Sequence, residues 1–273
     1  MAITVADINK LRQQTGAGMM DCKKALEESG GDFEKAIDYL RKKGAKIAAN
    51  RQDRDAKEGY VLAKVKDNTK AILLSINCET DFVAKNQDFQ SFVEEVANIA
   101  LDKFPTDTES LKKLPYNSDI SISDKLMEQI AKIGEKIEIG YYATIEAPFV
   151  VSYIHPGNRL AVIIGFNKTI DAEAAKNIAM QVAAMAPVSV DKSDVPQAVL
   201  ERELEIAREQ VRQEGKPEDM VEKIAQGKLN KFFKESTLLN QEYIKDNKMT
   251  VGQYLQSVDK DAKVVGFKRY SLA

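Results

Sequence analysis

An internal repeat constrains the fold of this chain more than any other feature of the sequence. Each copy has two apolar segments joined by a polar turn and followed by a segment with helical periodicity. In order, the segments lie at 59–66, 70–78 and about 87–101 in the first copy, and at 150–155, 159–166 and about 172–185 in the second. This sequence of periodicities predicts antiparallel strands covered by a helix. We therefore expect an α+β fold with a core of two related halves, 58–146 for the first and 147–189 with 236–273 for the second.

The two copies differ in length at one place. Aligned at their turns, Lys70 matches Arg159, an offset of 89 residues, whereas the helices align with Val96 on Val182, an offset of 86. The additional residues of the first copy lie between its second strand and its helix, in the segment Glu79–Asn86. Extra chain at a strand–helix junction of a shared scaffold is where an added function is expected.

The second copy contains an insertion at 190–235 that is dense in charge. Its first part has a narrow apolar stripe, Leu200, Leu204, Ala207 and Val211, whose spacing predicts a helix with a seam one helix wide. Gly215-Lys216-Pro217 then interrupts the chain before a second stripe, so we expect an antiparallel, coiled-coil-like helical hairpin. The remaining predicted elements are helices at 123–136 and 248–256 and strands at 137–146 and 262–271, the last returning to the second sheet.

The first 44 residues predict a small unit of three helices. Thr4 and Asp7 form a capping-box pattern, Gly30-Gly31 ends the second helix, Asp32 caps the third, and Gly44 is expected to end it. A basic linker follows at 45–57. Between residues 41 and 57 there are seven Lys or Arg against two Asp, which is typical of a solvated tether or of a contact with RNA or an acidic partner.

Composition excludes several classes of function. Forty basic against 42 acidic residues give a net charge of −2, which argues against a nucleic-acid coat, and we expect no direct nucleic-acid binding. One His and two unlike Cys leave no metal cluster or disulfide framework. P-loop, GxGxxG and GxSxG motifs are absent, so we expect no enzyme activity and no cofactor or metal of its own. Without an apolar run of about 18 residues or an N-terminal leader, we expect a cytoplasmic protein with no membrane contact.

Three apolar side chains each have two interpretations. Phe82 lies in the added segment, where it is either a core residue beneath the helix or an exposed wedge aimed at a partner. Met19 and Met20 follow the break Gly16-Ala17-Gly18 and are either core residues or adaptable interface residues.

The polar candidates are also ambiguous. Asp81 either supports the N-terminus of the following helix or carries a functional charge. His155 precedes Pro156-Gly157 and is either a surface turn residue or a partner contact on the same face as the added segment. Cys78 is expected to be a small buried residue, although nucleophilic chemistry in this chain would need a cysteine beside His155.

Three long motifs of this sequence resemble the elongation factor Ts family. They occur in the family's order and extend the resemblance over essentially the whole chain. The motifs are GAGMMDCKKAL from Gly16, NCETDFVAKN from Asn77 and SYIHPGNR from Ser152. Asn158 stands where many members have a second Gly, which alters the turn but not the strand pairing.

The resemblance implies a guanine-nucleotide exchange factor for the translation GTPase EF-Tu. The N-terminal unit would be a ubiquitin-associated-like domain, and the two-halved core would carry the hairpin. Family knowledge places the segment matching Thr80, Asp81, Phe82 and Val83 near the GTPase's nucleotide and magnesium site. Residues matching Met19, Met20, Lys23, Lys85 and His155 would make further contacts.

The hypothesis for the mechanism is that Phe82 separates elements of the GTPase, while Asp81 adds negative charge near the magnesium ion and helps to unseat it. An alternative from another class is an adaptor without exchange activity, in which the hairpin serves as a dimerisation arm. The hairpin is in either case a candidate for homodimer formation. Chemistry at Cys78 or His155 is a third and weaker alternative.

Overall fold

The computed structural model describes residues 3–273 and has an α+β fold. Three helices open the chain: α1 (Val5–Thr15), α2 (Met19–Glu28) and α3 (Phe33–Asn50). The predicted capping box is present, since the Thr4 side chain accepts from the Asp7 amide and the Asp7 carboxylate accepts from the Thr4 amide. Leu11, Cys22 and Leu26 are fully buried between these helices. Capping and the apolar stripes thus define this helical unit locally.

The prediction that the third helix ends at Gly44 is wrong. Helix α3 continues to Asn50 and packs along α7 (Ile122–Ile133) of the first half. Gly44 is buried at this contact, where a Cβ atom would lie 2.5 Å from the carbonyl oxygen of Met127. The glycine permits close approach of two helices here instead of terminating one, so the expected linker begins as helix.

The first sheet has the antiparallel order β1-β2-β3, with β1 at Glu58–Lys66, β2 at Lys70–Cys78 and β3 at Glu138–Glu146. Nearly every residue of β2 is buried, because the strand is central and both of its faces are covered. One face carries α5 (Gln87–Lys103), α6 (Thr108–Lys113) and α7. The one-turn helix α4 (Asp81–Ala84) lies between β2 and α5.

The second sheet repeats this arrangement with the order β4-β5-β8, at Phe149–Ile154, Leu160–Phe166 and Val264–Ser271. Its helical cover is α8 (Ala172–Met185) and α11 (Val251–Val258). The return of the last strand to this sheet is confirmed, since β8 pairs with β5. Helix α11 begins three residues later than the predicted helix at 248–256. The reason is that β7 (Asp246–Thr250) pairs with β6 (Glu242–Tyr243) and Thr250 caps α11.

The two sheets pack against each other through a shared apolar layer. Its buried members come from both halves: Val61, Ala63, Ala71, Leu73, Ala147, Val150, Ala161, Ile163 and Leu272. At one end of the layer the Val150 amide donates to Asn68 O at 2.7 Å. At the other end the Asn158 side chain donates to Val61 O at 3.1 Å. The turn of each hairpin is thereby fixed to the opposite half.

Helices α9 (Gln197–Gln213) and α10 (Glu218–Ser236) lie side by side outside the two sheets. Val211 and Ala225 are buried between them, and Arg208–Glu222 and Arg212–Glu218 ion pairs line their edge. The ends of this segment meet at the body, where the Val188 amide donates to Ser236 O at 2.8 Å. Across residues 3–273, none of the helices combines the length and the apolar character needed to cross a bilayer.

Candidate partner-binding site

The added segment forms a short helix that directs one large aromatic side chain into solvent. Strand β2 ends at Cys78, and Thr80 caps α4 by accepting from the Val83 amide at 3.4 Å. Ala84 is buried and Val83 is partly buried against the first core, whereas Phe82 is 83% exposed. One helical turn cannot bury all its side chains against a flat surface, so the sequence DFVA leaves Phe82 on the outer side. The interpretation of Phe82 as a core residue is therefore wrong.

Glu135, just beyond α7, fixes the chain immediately before α4. Its Oε2 accepts from the amides of Glu79 and Thr80, both at 3.1 Å, and its Oε1 accepts from Thr80 Oγ1 at 2.6 Å. A carboxylate that receives three hydrogen bonds holds its donors in one geometry, because charge-assisted bonds are stronger than neutral ones. The start of the exposed helix is thus anchored to the element that precedes β3.

Glu79 makes the reciprocal contact. Its Oε1 accepts from the Lys136 amide at 2.6 Å, and the Arg51 guanidinium donates to both carboxylate oxygens at 2.7 and 2.9 Å. Burial alone would raise the pKa of Glu79, but these hydrogen bonds and the charge of Arg51 outweigh it and hold the pKa below its ordinary value. Arg51 follows α3 directly, so this contact also connects the N-terminal helices to the segment.

Asp81 lies in the first turn of α4 and pairs with Lys85 at 2.6 Å. The hydrogen bond from Lys85 is the main reason that the pKa of Asp81 lies below its ordinary value. Both side chains are well exposed, so the pair contributes little to stability. Lys85 can therefore release Asp81 to another cation at small cost.

An open depression of about 450 Å³ lies beside Phe82. Apolar side chains Phe82, Val83, Phe89 and Ile133 line it together with polar groups that include Lys132 and Glu135. Lys132 pairs with Asp88 at 3.1 Å and also lies against the loop after α1, since a Cβ on Gly16 would be 3.5 Å from its side chain. The N-terminal helices thus border the same surface.

Met19 and Met20 begin α2, close to that loop, and are 49% and 73% exposed. The interpretation of this pair as core residues is wrong, because Cys22, Ala25 and Leu26 form the buried side of the helix. Lys23 is also exposed and pairs with Glu27 at 3.8 Å. Two exposed methionines on one turn form an apolar surface that adapts easily to a partner.

His155 is exposed at the end of β4, where its Nδ1 lies 3.0 Å from the Tyr153 hydroxyl. Arg159, just after the turn, pairs with Glu58, which is the register partner of Cys78. The turn is therefore at the same end of the core as the exit of β2. The structure brings His155 to the end of the core that carries Phe82, but at a separate position on the surface.

Cys78 and His155 do not form a catalytic pair. Cys78 is fully buried and its thiol donates to Thr80 O at 3.2 Å. Burial first, and then the charges of Glu135 and Glu58, raise the pKa of Cys78 to about 12. A thiol that stays protonated is a poor nucleophile, and the expectation of a small buried residue describes Cys78 correctly.

Comparison with known proteins identifies relatives along the full chain. The elongation factor TS family model matches residues 79–273. An elongation factor Ts of Christiangramia forsetii is 55% identical over 273 residues, covering 99% of this chain and 98% of the relative. Elongation factors Ts of Flavobacterium psychrophilum and of Porphyromonas gingivalis ATCC 33277 are 51% and 50% identical, covering 98% and 99% of the relatives and 99% and 100% of this chain.

Proposed function

Since this chain belongs to the elongation factor Ts family, we propose that it accelerates GDP release from EF-Tu and stabilises the nucleotide-free GTPase. The observation that supports this most directly is the exposure of Phe82 on a short helix whose start is anchored by hydrogen bonds. A large aromatic side chain left in water is unfavourable in isolation and is typical of a residue that a partner buries.

The proposed mechanism rests on differential affinity. An exchange factor must bind nucleotide-free EF-Tu more tightly than the GDP form, because equal affinity for both would shift nothing. Phe82 enters the GTPase beside its magnesium site and displaces the groups that hold the ion. Asp81, released from Lys85, adds negative charge there. Once the binding of magnesium is weakened, the phosphates of GDP lose charge neutralisation and the nucleotide leaves faster.

Contacts away from Phe82 supply the rest of the affinity. A rate change of about a thousandfold needs roughly 4 kcal/mol of differential binding, more than one side chain normally provides. We assign additional contacts to Met19, Met20, Lys23 and Lys85 near the depression, and to His155 at the separate turn. In this proposal the N-terminal helices act as a ubiquitin-associated-like module and α9–α10 as a helical hairpin.

The test is release of a fluorescent GDP analogue from EF-Tu in the presence of this protein. We expect acceleration by the parent, and a loss of about tenfold or more for Phe82→Ala, in line with a central interface residue. The matched control is Ile244→Ala, which trims another exposed apolar side chain, 45% exposed, in the second half. Its exchange rate should equal that of the parent.

Two results would contradict the proposal at different levels. If the parent binds EF-Tu without changing the release rate of GDP, the protein is an adaptor and the exchange role is wrong. If Phe82→Ala exchanges as fast as the parent, exchange persists but the wedge is not Phe82.

A further inference from the structure

We infer that Glu135 is a positioning residue for the added segment Glu79–Asn86: it sets the direction of Phe82 through its hydrogen bonds to the chain before α4. The effect of Glu135 on GDP release rests on the proposed function, but its hydrogen bonds to Glu79 and Thr80 are present in the free protein. Glu135 is 53 residues beyond Phe82 in sequence and follows Gly134, so neither the repeat nor the length difference identifies it. Its role follows from where its carboxylate ends.

The argument starts from which groups Glu135 satisfies. The amide of Glu79 comes after the last strand residue, and the amide of Thr80 precedes α4, so neither can bond within a regular element. Glu135 Oε2 accepts both, and the fork of acceptors leaves Oε1 for the Thr80 hydroxyl. Removal of this carboxylate leaves two amides and one hydroxyl without their acceptor. Because buried or half-buried donors without partners are costly, the local conformation should loosen.

Thr80 transmits the constraint to Phe82. Its Oγ1 donates to Glu135 and simultaneously accepts from the Val83 amide, which fixes the hydroxyl as the cap of α4. Helix α4 has a single turn and is too short to persist without its cap and its packing. Because Phe82 is 83% exposed, little packing holds its side chain, and the backbone of that turn sets the direction of its Cα–Cβ bond.

The position of Glu135 is itself well defined. Helix α7 ends at Ile133 and is capped by Gly134, which has φ 79° and whose amide donates to Ile130 O at 2.8 Å. The left-handed glycine turns the chain so that Glu135 faces the β2–α4 junction, while the next amide, Lys136, bonds to Glu79. The two glutamates thus hold the junction from two segments of the chain that are distant in sequence, and Glu135 is the one that contacts Thr80, the cap of α4.

The first experiment uses the free protein and hydrogen exchange measured by mass spectrometry. In Glu135→Ala we expect amide exchange in the peptide covering 79–84 to become at least about tenfold faster, the scale of charge-assisted hydrogen bonds. Glu135→Gln should recover most of the protection, because its carbonyl oxygen still accepts the two amides. Glu138→Gln is the control, since that side chain pairs with Lys136 at 3.5 Å.

The second experiment is a double-mutant cycle on GDP release. Glu135→Ala should lower the exchange rate about as far as Phe82→Ala does, and Phe82→Ala with Glu135→Ala should lower it no further. A merely structural effect of Glu135 would instead add to that of Phe82. Glu135→Gln should restore exchange toward the parent rate.

The two experiments separate failure of this inference from failure of the proposed function. Unchanged amide exchange in Glu135→Ala would overturn the positioning role whatever the protein does to EF-Tu. Faster amide hydrogen exchange in that variant would support the positioning role of Glu135. If the parent also left GDP release unchanged, the nucleotide-exchange function would be refuted while that role remained. Additive losses in the cycle would also overturn the inference.

Discussion

At the scale of single residues, Gly44 and Gly227 predict opposite effects of the same substitution. Gly44→Ala places a methyl group 2.5 Å from a backbone oxygen of α7, which cannot move without shifting the helix, so we expect destabilisation of about 1–3 kcal/mol. Gly227 lies within α10, and a Cβ there would meet nothing within 4 Å, so Gly227→Ala should stabilise by about 0.5–1 kcal/mol. Thermal unfolding followed by circular dichroism measures both.

The two glycines also separate packing from propensity. If Gly44→Ala proves neutral or stabilising, α3 and α7 are not in close contact in solution. Alanine would then stabilise α3 through its helix propensity, as we expect for Gly227→Ala in α10. Limited proteolysis after residue 50 is a second readout, since loosening α3 from α7 should expose the 51–57 segment.

Some candidate functional residues could be predicted from the sequence and others could not, for physical reasons. The length difference between the repeats placed Phe82 in an added segment, but the choice between core and surface depended on the tertiary contact of one helical turn. Gly44 gave a helix-stop signal that tertiary packing overrode. Glu135 and Arg51 could not be identified, because their contacts with Thr80 and Glu79 join distant parts of the chain and leave no periodic pattern.

At the scale of elements, strand and helix positions follow the sequence closely where periodicity is strong. The predicted strands at 70–78 and the helix at 172–185 have the observed bounds of β2 and α8. The sequence does not predict β6, β7 or α6, because elements of two, five and six residues have too few positions to show a period.

The pair α9–α10 provides a prediction at this scale. Its ends meet where Ser189 and Thr237 form a parallel bridge, so residues 196–235 can be replaced by about six Gly and Ser residues that span the gap. We expect the shortened chain to lose helical signal in circular dichroism but to unfold near the parent's thermal midpoint. The base is held by other contacts, among them Asn240 to Asp191 at 2.7 Å.

A matched control has the same linker in place of Gly215-Lys216, which preserves both helices. Sedimentation of the three proteins also tests whether α9–α10 mediates self-association: a dimeric parent and a monomeric shortened chain would support it. An unfolded shortened chain beside a folded control would contradict the independence of the core from α9–α10.

At the scale of the whole molecule, the two halves share a layer that neither could bury alone. Each sheet packs its helices on one face, and its opposite face is apolar as well. Because that apolar face must also be kept from water, each sheet covers the other. The connection from β3 to β4 is short, and Ala147 within it belongs to the shared layer. The halves are therefore expected to unfold as one cooperative unit.

Leu73 tests this cooperativity, because it is fully buried in the shared layer on the central strand of the first sheet. Leu73→Ala should lower the free energy of unfolding by about 2–5 kcal/mol through lost burial and the cavity left behind. In urea, hydrogen exchange in β2 and in β5 should respond together and to the same extent. Val265→Ala, on a side chain 54% exposed in β8, should change stability by no more than about 0.5 kcal/mol. If Leu73→Ala loosened only the first sheet, the halves would be separate folding units, and the end of the core that presents Phe82 and His155 would not be held as one rigid surface.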